Sequence, residues 1–207
     1  MLAGASERTT MTNLTDALHI PDTQSARDER HLLIQRVGVK DVRYPLTLQV
    51  AGSAQQSAAS WDLDVALPAE AKGTHMSRFV AWLDALDAPL DAATLRAQLA
   101  RMLQQLGAQE GRIEARFGFF LRKRAPVSGV QSLLDYHGRW IAETRGGATV
   151  LWSEVGVPVK SLCPCSKEIS DYGAHNQRSL VTIRVEQLRP IEWHELVRFA
   201  EDAASSE

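Results

Sequence analysis

The sequence predicts an α+β fold of antiparallel sheets with helices packed on one face. Three observations carry this. Residues 61–67, WDLDVAL, alternate strictly, with Trp61, Leu63, Val65 and Leu67 on one side and Asp62 and Asp64 on the other, the signature of a half-buried antiparallel strand. The period then changes to helical between residues 76 and 106 and returns to two in 112-RIEARFGFFL-121. Finally, the order of elements begins again after Gly146-Gly147.

Each element follows in turn. The run 44-YPLTLQV-50 alternates more weakly and is expected to pair with 61–67, while the small, polar 51-AGSAQQSAAS-60 reads as a long hairpin loop between them. In 76-MSRFVAWLDAL-86, Met76, Phe79, Val80, Leu83 and Leu86 recur at helical spacing. The same holds for Leu95, Leu99, Met102, Leu103 and Leu106 in 91–106, with Asp91 as N-cap, Gly107 as C-terminal stop and Pro89 separating the two helices. Trp61 and Met76 are expected in the core. Ile113, Ala115, Phe117, Phe119 and Leu121 share the face of a third strand, and 131–143 supplies a fourth. Arg122-Lys123-Arg124 reads as a charged strand end. Strands at 148–159 and 179–188 follow. After Pro190 a helix over 191–204 carries Trp193, Leu196, Val197 and Ala200 on its apolar stripe.

The plan is therefore ββααββ, then ββα. It divides the chain into an N-terminal arm over 1–30, expected to be mobile, a first unit over 31–145, and a second, incomplete unit over 146–207.

Bulk properties bound the function. The 207 residues are 44% hydrophobic and 23% charged, enough for a substantial core. A net charge of −2 gives no basis for a nucleic-acid partner or a membrane surface. No apolar run approaches the roughly 18–20 residues of a membrane helix, and the polar first thirty residues lack a secretory pattern. Two cysteines make no disulfide framework, so the expected compartment is the cytoplasm.

Both cysteines lie in 159-VKSLCPCSKEISDYGAHNQRSLVTIRV-185, between the two strands of the second unit. Cys163 and Cys165 flank one proline, and His175 follows. A disulfide across so tight a loop conflicts with disulfide geometry. Two readings stay open on the residues alone. One is a pair of inert thiols beside a hydrogen-bonded histidine. The other is a metal or catalytic site, since thiolate and imidazole are strong ligands for zinc-like cations. The polarity around them, from Ser161 and Ser166 through Glu168 and Asp171 to Asn176 and Gln177, argues against inert core cysteines. Cys-x-Cys with a distant His matches neither a zinc finger nor a ribbon.

The stretch SLCPCSKEISDYGAHNQRS resembles the signature of the type IB GTP cyclohydrolase I family. So do 72-KGTHMSRFVAWL-83, 34-IQRVGVKDVRYPLTL-48 and 125-APVSGVQSLLDY-136, so the resemblance runs from about Pro21 to the end. It implies a tunnelling fold (T-fold) of two ββααββ units in tandem, assembled as a homotetramer. It implies opening of the imidazole ring of GTP by water, loss of C8 as formate, and recyclisation to 7,8-dihydroneopterin triphosphate, the entry to folate-type pterin synthesis. A divalent metal, zinc, manganese or iron, would make water nucleophilic at neutral pH, and a histidine would move protons to the ring nitrogens. Carried over by motif, Cys163 is the essential cysteine and metal ligand. His175 is a second ligand or the proton donor, and Cys165, two residues on, either supports the centre without ligating or is a thiol that reacts with Cys163 under oxidation. The triphosphate calls for cations and N–H donors. Lys72, Thr74, His75 and Arg78 in the first family-like segment, with Lys167 and Arg178 around the cysteine loop, are the expected substrate-binding residues.

The family pattern continues past Glu207, where the purine-anchoring Glu and the remaining metal ligands are expected. The chain alone is therefore expected to turn over little GTP. Two alternatives belong to the same fold. One is a nitrile oxidoreductase with a nucleophilic cysteine, and the other a non-catalytic purine-binding module.

Overall fold

The structure, a computed structural model, describes residues 33–125, 127–163, 165, 168 and 176–204. The arm expected over 1–30 lies outside them. The order is β1 (Ile34–Val50), β2 (Ser53–Leu67), α1 (Met76–Asp84), α2 (Ala92–Leu106), β3 (Gly111–Arg124), β4 (Gln131–Arg145), β5 (Ala148–Leu162), β6 (Asn176–Glu186) and α3 (Trp193–Asp202). The six strands form one antiparallel sheet in sequence order. The expected α+β class and antiparallel pairing are present, and strands assigned to both units lie side by side, β4 against β5.

Alternation decides which face the helices cover. Leu46, Leu48 and Val50 of β1, Trp61, Leu63 and Val65 of β2, and Ile113, Ala115, Phe117 and Phe119 of β3 are buried in one cluster. Phe79, Trp82 and Leu83 of α1, Leu95, Leu99, Met102 and Leu103 of α2, and Trp193, Leu196 and Val197 of α3 join it. Trp193 sits against Phe117, Phe119 and Trp140 with ring centroids 5.2–5.6 Å apart. Gly138 makes room for this aromatic group: a Cβ there would stand 2.6 Å from the Phe117 ring. Trp61 is fully buried and meets Trp82 edge-on at 6.0 Å, and Met76 is partly buried against the same core, both as expected.

The helix limits follow local chemistry. The Asp91 carboxylate accepts the Thr94 N–H at 2.7 Å while Thr94 Oγ1 accepts the Asp91 N–H, a reciprocal cap. Gly107 ends α2 with φ +64°, a left-handed residue where glycine costs least.

The expected loop over 51–60 is corrected. Val50 and Ser53 are partners, so the turn is only Ala51-Gly52, with φ +47° and +77°. Positive φ at both positions is the tight turn that matches strand twist. Residues 53–60 are strand. Their small side chains obscured the alternation, but Ala59 is buried, and Gln55 and Ser57 reach β3. β1 likewise begins ten residues before the expected start at Tyr44, at Ile34.

The sheet is continuous at one end and splits at the other. β2 and β3 pair only as far as Ser60 with Arg116, and β4 and β5 only as far as His137 with Gly156. Beyond these points three separate two-stranded ribbons project, β1–β2, β3–β4 and β5–β6. Gln55 bridges the first gap: its side chain donates to Phe120 O at 2.8 Å and accepts from Phe120 N at 3.0 Å. Pro158, which has no N–H to donate, falls where β5 has left β4.

Candidate active site

The cysteine loop is the tip of the third ribbon. β5 and β6 pair without interruption from Trp152 with Glu186 to Leu162 with Asn176. Leu162 and Asn176, the last pair, are therefore neighbours at the end of this ribbon. Cys163 stands at the mouth of the loop, half-buried, and Cys165 is exposed. Arg178 lies on β6 directly opposite Lys160 of β5. Sequence reasoning passed over Lys160, whose relevance depends on that register. His175 and Lys167 lie outside the described residues.

Among the described residues no three His, Cys, Asp or Glu side chains converge as a metal centre. The donor chemistry at the loop mouth is nonetheless suited to one. A thiol there is a soft ligand for zinc-class cations.

The other expected substrate residues stand elsewhere. Thr74 is buried, His75 occupies the N-cap of α1 without a side-chain cap bond, and Arg78 lies in the first turn. The Arg78 carbonyl accepts from Gln105 Nε2 at 3.5 Å. This ties the start of α1 to the end of α2, just before Gly111 at the continuous end of the sheet. Gly111 is level with Thr144, and Thr144 with Thr149. From Thr149 to Cys163 the chain takes 163 − 149 = 14 steps, roughly 46 Å of strand. Arg178 and Cys163 thus lie toward the same end of one ribbon, 163 − 160 = 3 residues apart in register, whereas the Lys72–Arg78 segment lies toward the other end of the sheet.

Sequence reasoning also missed a charge network on the open face. Glu114 is buried there, and accepts from Arg116 Nη1 at 2.6 Å, from Arg139 Nε at 2.8 Å and from Arg112. Arg116 also donates to Asp62 and Asp41, and Arg139 to Glu154. Burial alone would raise the Glu114 carboxyl, but the hydrogen bond from Arg139, the charge of Arg112 and the hydrogen bond from Arg116 hold it below the usual range. Burial instead prevails at Asp64 and raises it, against the opposing charge of Arg36. Only the polar side of WDLDVAL hinted at this face.

The antiparallel α+β scaffold thus carries Cys163 just beyond the last pair of the β5–β6 ribbon. The family described as type I GTP cyclohydrolase folE2 matches residues 20–207, and the chain belongs to it. A protein of Methylibium petroleiphilum named GTP cyclohydrolase FolE2 is 63% identical, the match covering 91% of this chain and 74% of that one. Proteins of the same name from Paraburkholderia xenovorans and Burkholderia multivorans are 56% and 54% identical, each match covering 95% of this chain and 74% of theirs.

Proposed function

We propose that the chain is a GTP cyclohydrolase, converting GTP and water to formate and 7,8-dihydroneopterin triphosphate at the first step of folate biosynthesis. The observation that carries this is the family match over residues 20–207, which includes the whole cysteine loop.

Cys163, with His175 as its fellow ligand or as the proton donor beside it, would hold a divalent cation, zinc, manganese or iron. When bound, it supplies the Lewis acidity that makes water a competent nucleophile at neutral pH. Cys165 stands beside this centre and tunes it without ligating. Arg178 and Lys167 orient the triphosphate, and Lys160, across the ribbon from Arg178, adds a third cation. His175, if not a ligand, moves a proton to the ring nitrogen of the opening imidazole.

Lys72, Thr74, His75 and Arg78 complete the substrate site from a second copy of the chain. This reading is supported by their place at the opposite end of the sheet from Cys163. A homotetramer of tandem tunnelling-fold units meets that need, with ribbons of one subunit reaching the helical end of another.

The test is a paired assay on the metal-loaded enzyme. GTP-dependent dihydroneopterin fluorescence and formate release should rise together in equal amounts. GTP binding without formate would leave only a purine-binding module, and NADPH consumption with a nitrile substrate would replace the hydrolase by an oxidoreductase.

A further inference from the structure

The open face carries a second feature at the continuous end of the sheet, far from the cysteine loop. A pocket of about 550 Å³ is sunk there, a size that suits a small-molecule ligand. Its lining is mostly polar and charged around an apolar floor of Ile141 and Trp152. Ile141 is buried although it lies outside the main core cluster, and Trp152 is its neighbour on β5. The Arg184 guanidinium lies 5.3 Å from the centre of the Trp152 ring, close enough for cation–π attraction.

The charges around this floor are unevenly matched. Asp64 and Glu143 both face Arg36, at 3.2 and 3.8 Å. Glu110 accepts the Gly146 N–H at 2.8 Å. Arg112 is engaged by Glu114. Arg145 and Arg184 remain, without a carboxylate partner among the described residues. Arg145 is held by a two-residue turn at Gly146-Gly147, φ +57° and +78°. It pairs with Ala148, and Arg184 pairs with Glu154. The two arginines are thus separated by 154 − 148 = 6 steps of β5, roughly 20 Å. Two arginines anchored at strand positions that far apart, with Trp152 between them and already against one of them, suit an elongated ligand and not a compact ion.

We propose that this pocket binds a ligand of the mononucleotide class, its planar heterocycle against Trp152 and Arg184 and its phosphate at Arg145. Arginine suits both ends, since it stacks on planar rings and binds phosphate in a fork.

The probe is adenosine 5′-monophosphate, titrated calorimetrically into the full chain, with adenosine and inorganic phosphate as separate arms. Saturable binding of the nucleotide is expected, with each fragment weaker by at least roughly tenfold. Arg145→Gln and Arg184→Gln, both at exposed positions, should each weaken the nucleotide by roughly tenfold with unchanged melting. Cys163→Ala should leave its affinity as it was. The proposal is overturned by absence of saturable binding, by inorganic phosphate binding as tightly as the nucleotide, by full affinity in both arginine variants, or by loss of binding in Cys163→Ala. None of these outcomes bears on formate release from GTP, so the proposed reaction stands or falls separately.

Discussion

Glu114 is the residue on which the charges of the open face converge. Replacing it with Gln keeps the shape but leaves three guanidiniums facing a neutral amide. Partly exposed arginines screen some of the loss. A cost of about 2 kcal/mol is expected, or roughly 4–8 °C in Tm. The sign with pH follows from its depressed carboxyl. The stabilisation is complete above the ordinary glutamate value of about 4.3 and is lost as pH falls through the lower folded value. Melting curves stepped from pH 7 to 3 should show a steep acid loss that is shallower in Glu114→Gln. Parallel curves would exclude the role. At the proposed centre, Cys163→Ala should abolish turnover and lower metal content with the fold retained, whereas Cys165→Ala should lose about 10–100-fold in activity. Metal analysis of His175→Ala separates its two roles, since retained metal with lost turnover marks a proton donor. If Cys165→Ala lost metal while Cys163→Ala kept it, the two assignments would be exchanged. The cysteine loop was legible in the sequence because its residues are contiguous. Glu114 was legible only in part: Arg112 and Arg116 flank it two residues away on β3, but Arg139 reaches it from β4 through a register that no local pattern reveals.

At the scale of elements, the β1–β2 ribbon depends on its two-residue turn. Gly52→Val places a β-branched side chain at φ +77°, at a cost of about 1–2 kcal/mol. The loss should appear in Tm and in faster amide exchange confined to the ribbon. Unchanged exchange there would show that the turn is not what fixes the register. Gln55→Ala removes both hydrogen bonds to Phe120 and should loosen the same ribbon without touching the continuous end. The helices and the inner strands were legible because strong apolar periodicity coincided with caps such as Asp91 and Gly107. The first ribbon was not. Ala, Ser and Gln over 53–60 carry almost no hydrophobic contrast, and on the β3 side, where the backbone ladder has ended, Gln55 links the strands through its side chain.

For the whole molecule, the distance between Arg78 and the cysteine loop makes a genetic test available. Arg78→Ala and Cys163→Ala should each be inactive alone if they damage opposite halves of a shared site. Co-expressed in equal amounts, they should assemble randomly and restore roughly a quarter of the sites, since a closed ring of identical interfaces joins intact halves at that frequency. Failure of the mixture to recover activity would place both halves in one subunit. The strand order carries a different consequence, for synthesis. Each strand pairs laterally with the one before it, so a growing chain can zip its sheet as it leaves the ribosome, without waiting for a later partner. The aromatic cluster cannot close on that schedule. Phe117, Phe119 and Trp140 are covered by Trp193 of α3, which is made 193 − 140 = 53 residues after Trp140. At ordinary elongation speeds that gap lasts roughly 3–10 s. During it the nascent sheet presents bare aromatic rings, and that interval is when chaperone capture of this chain should peak.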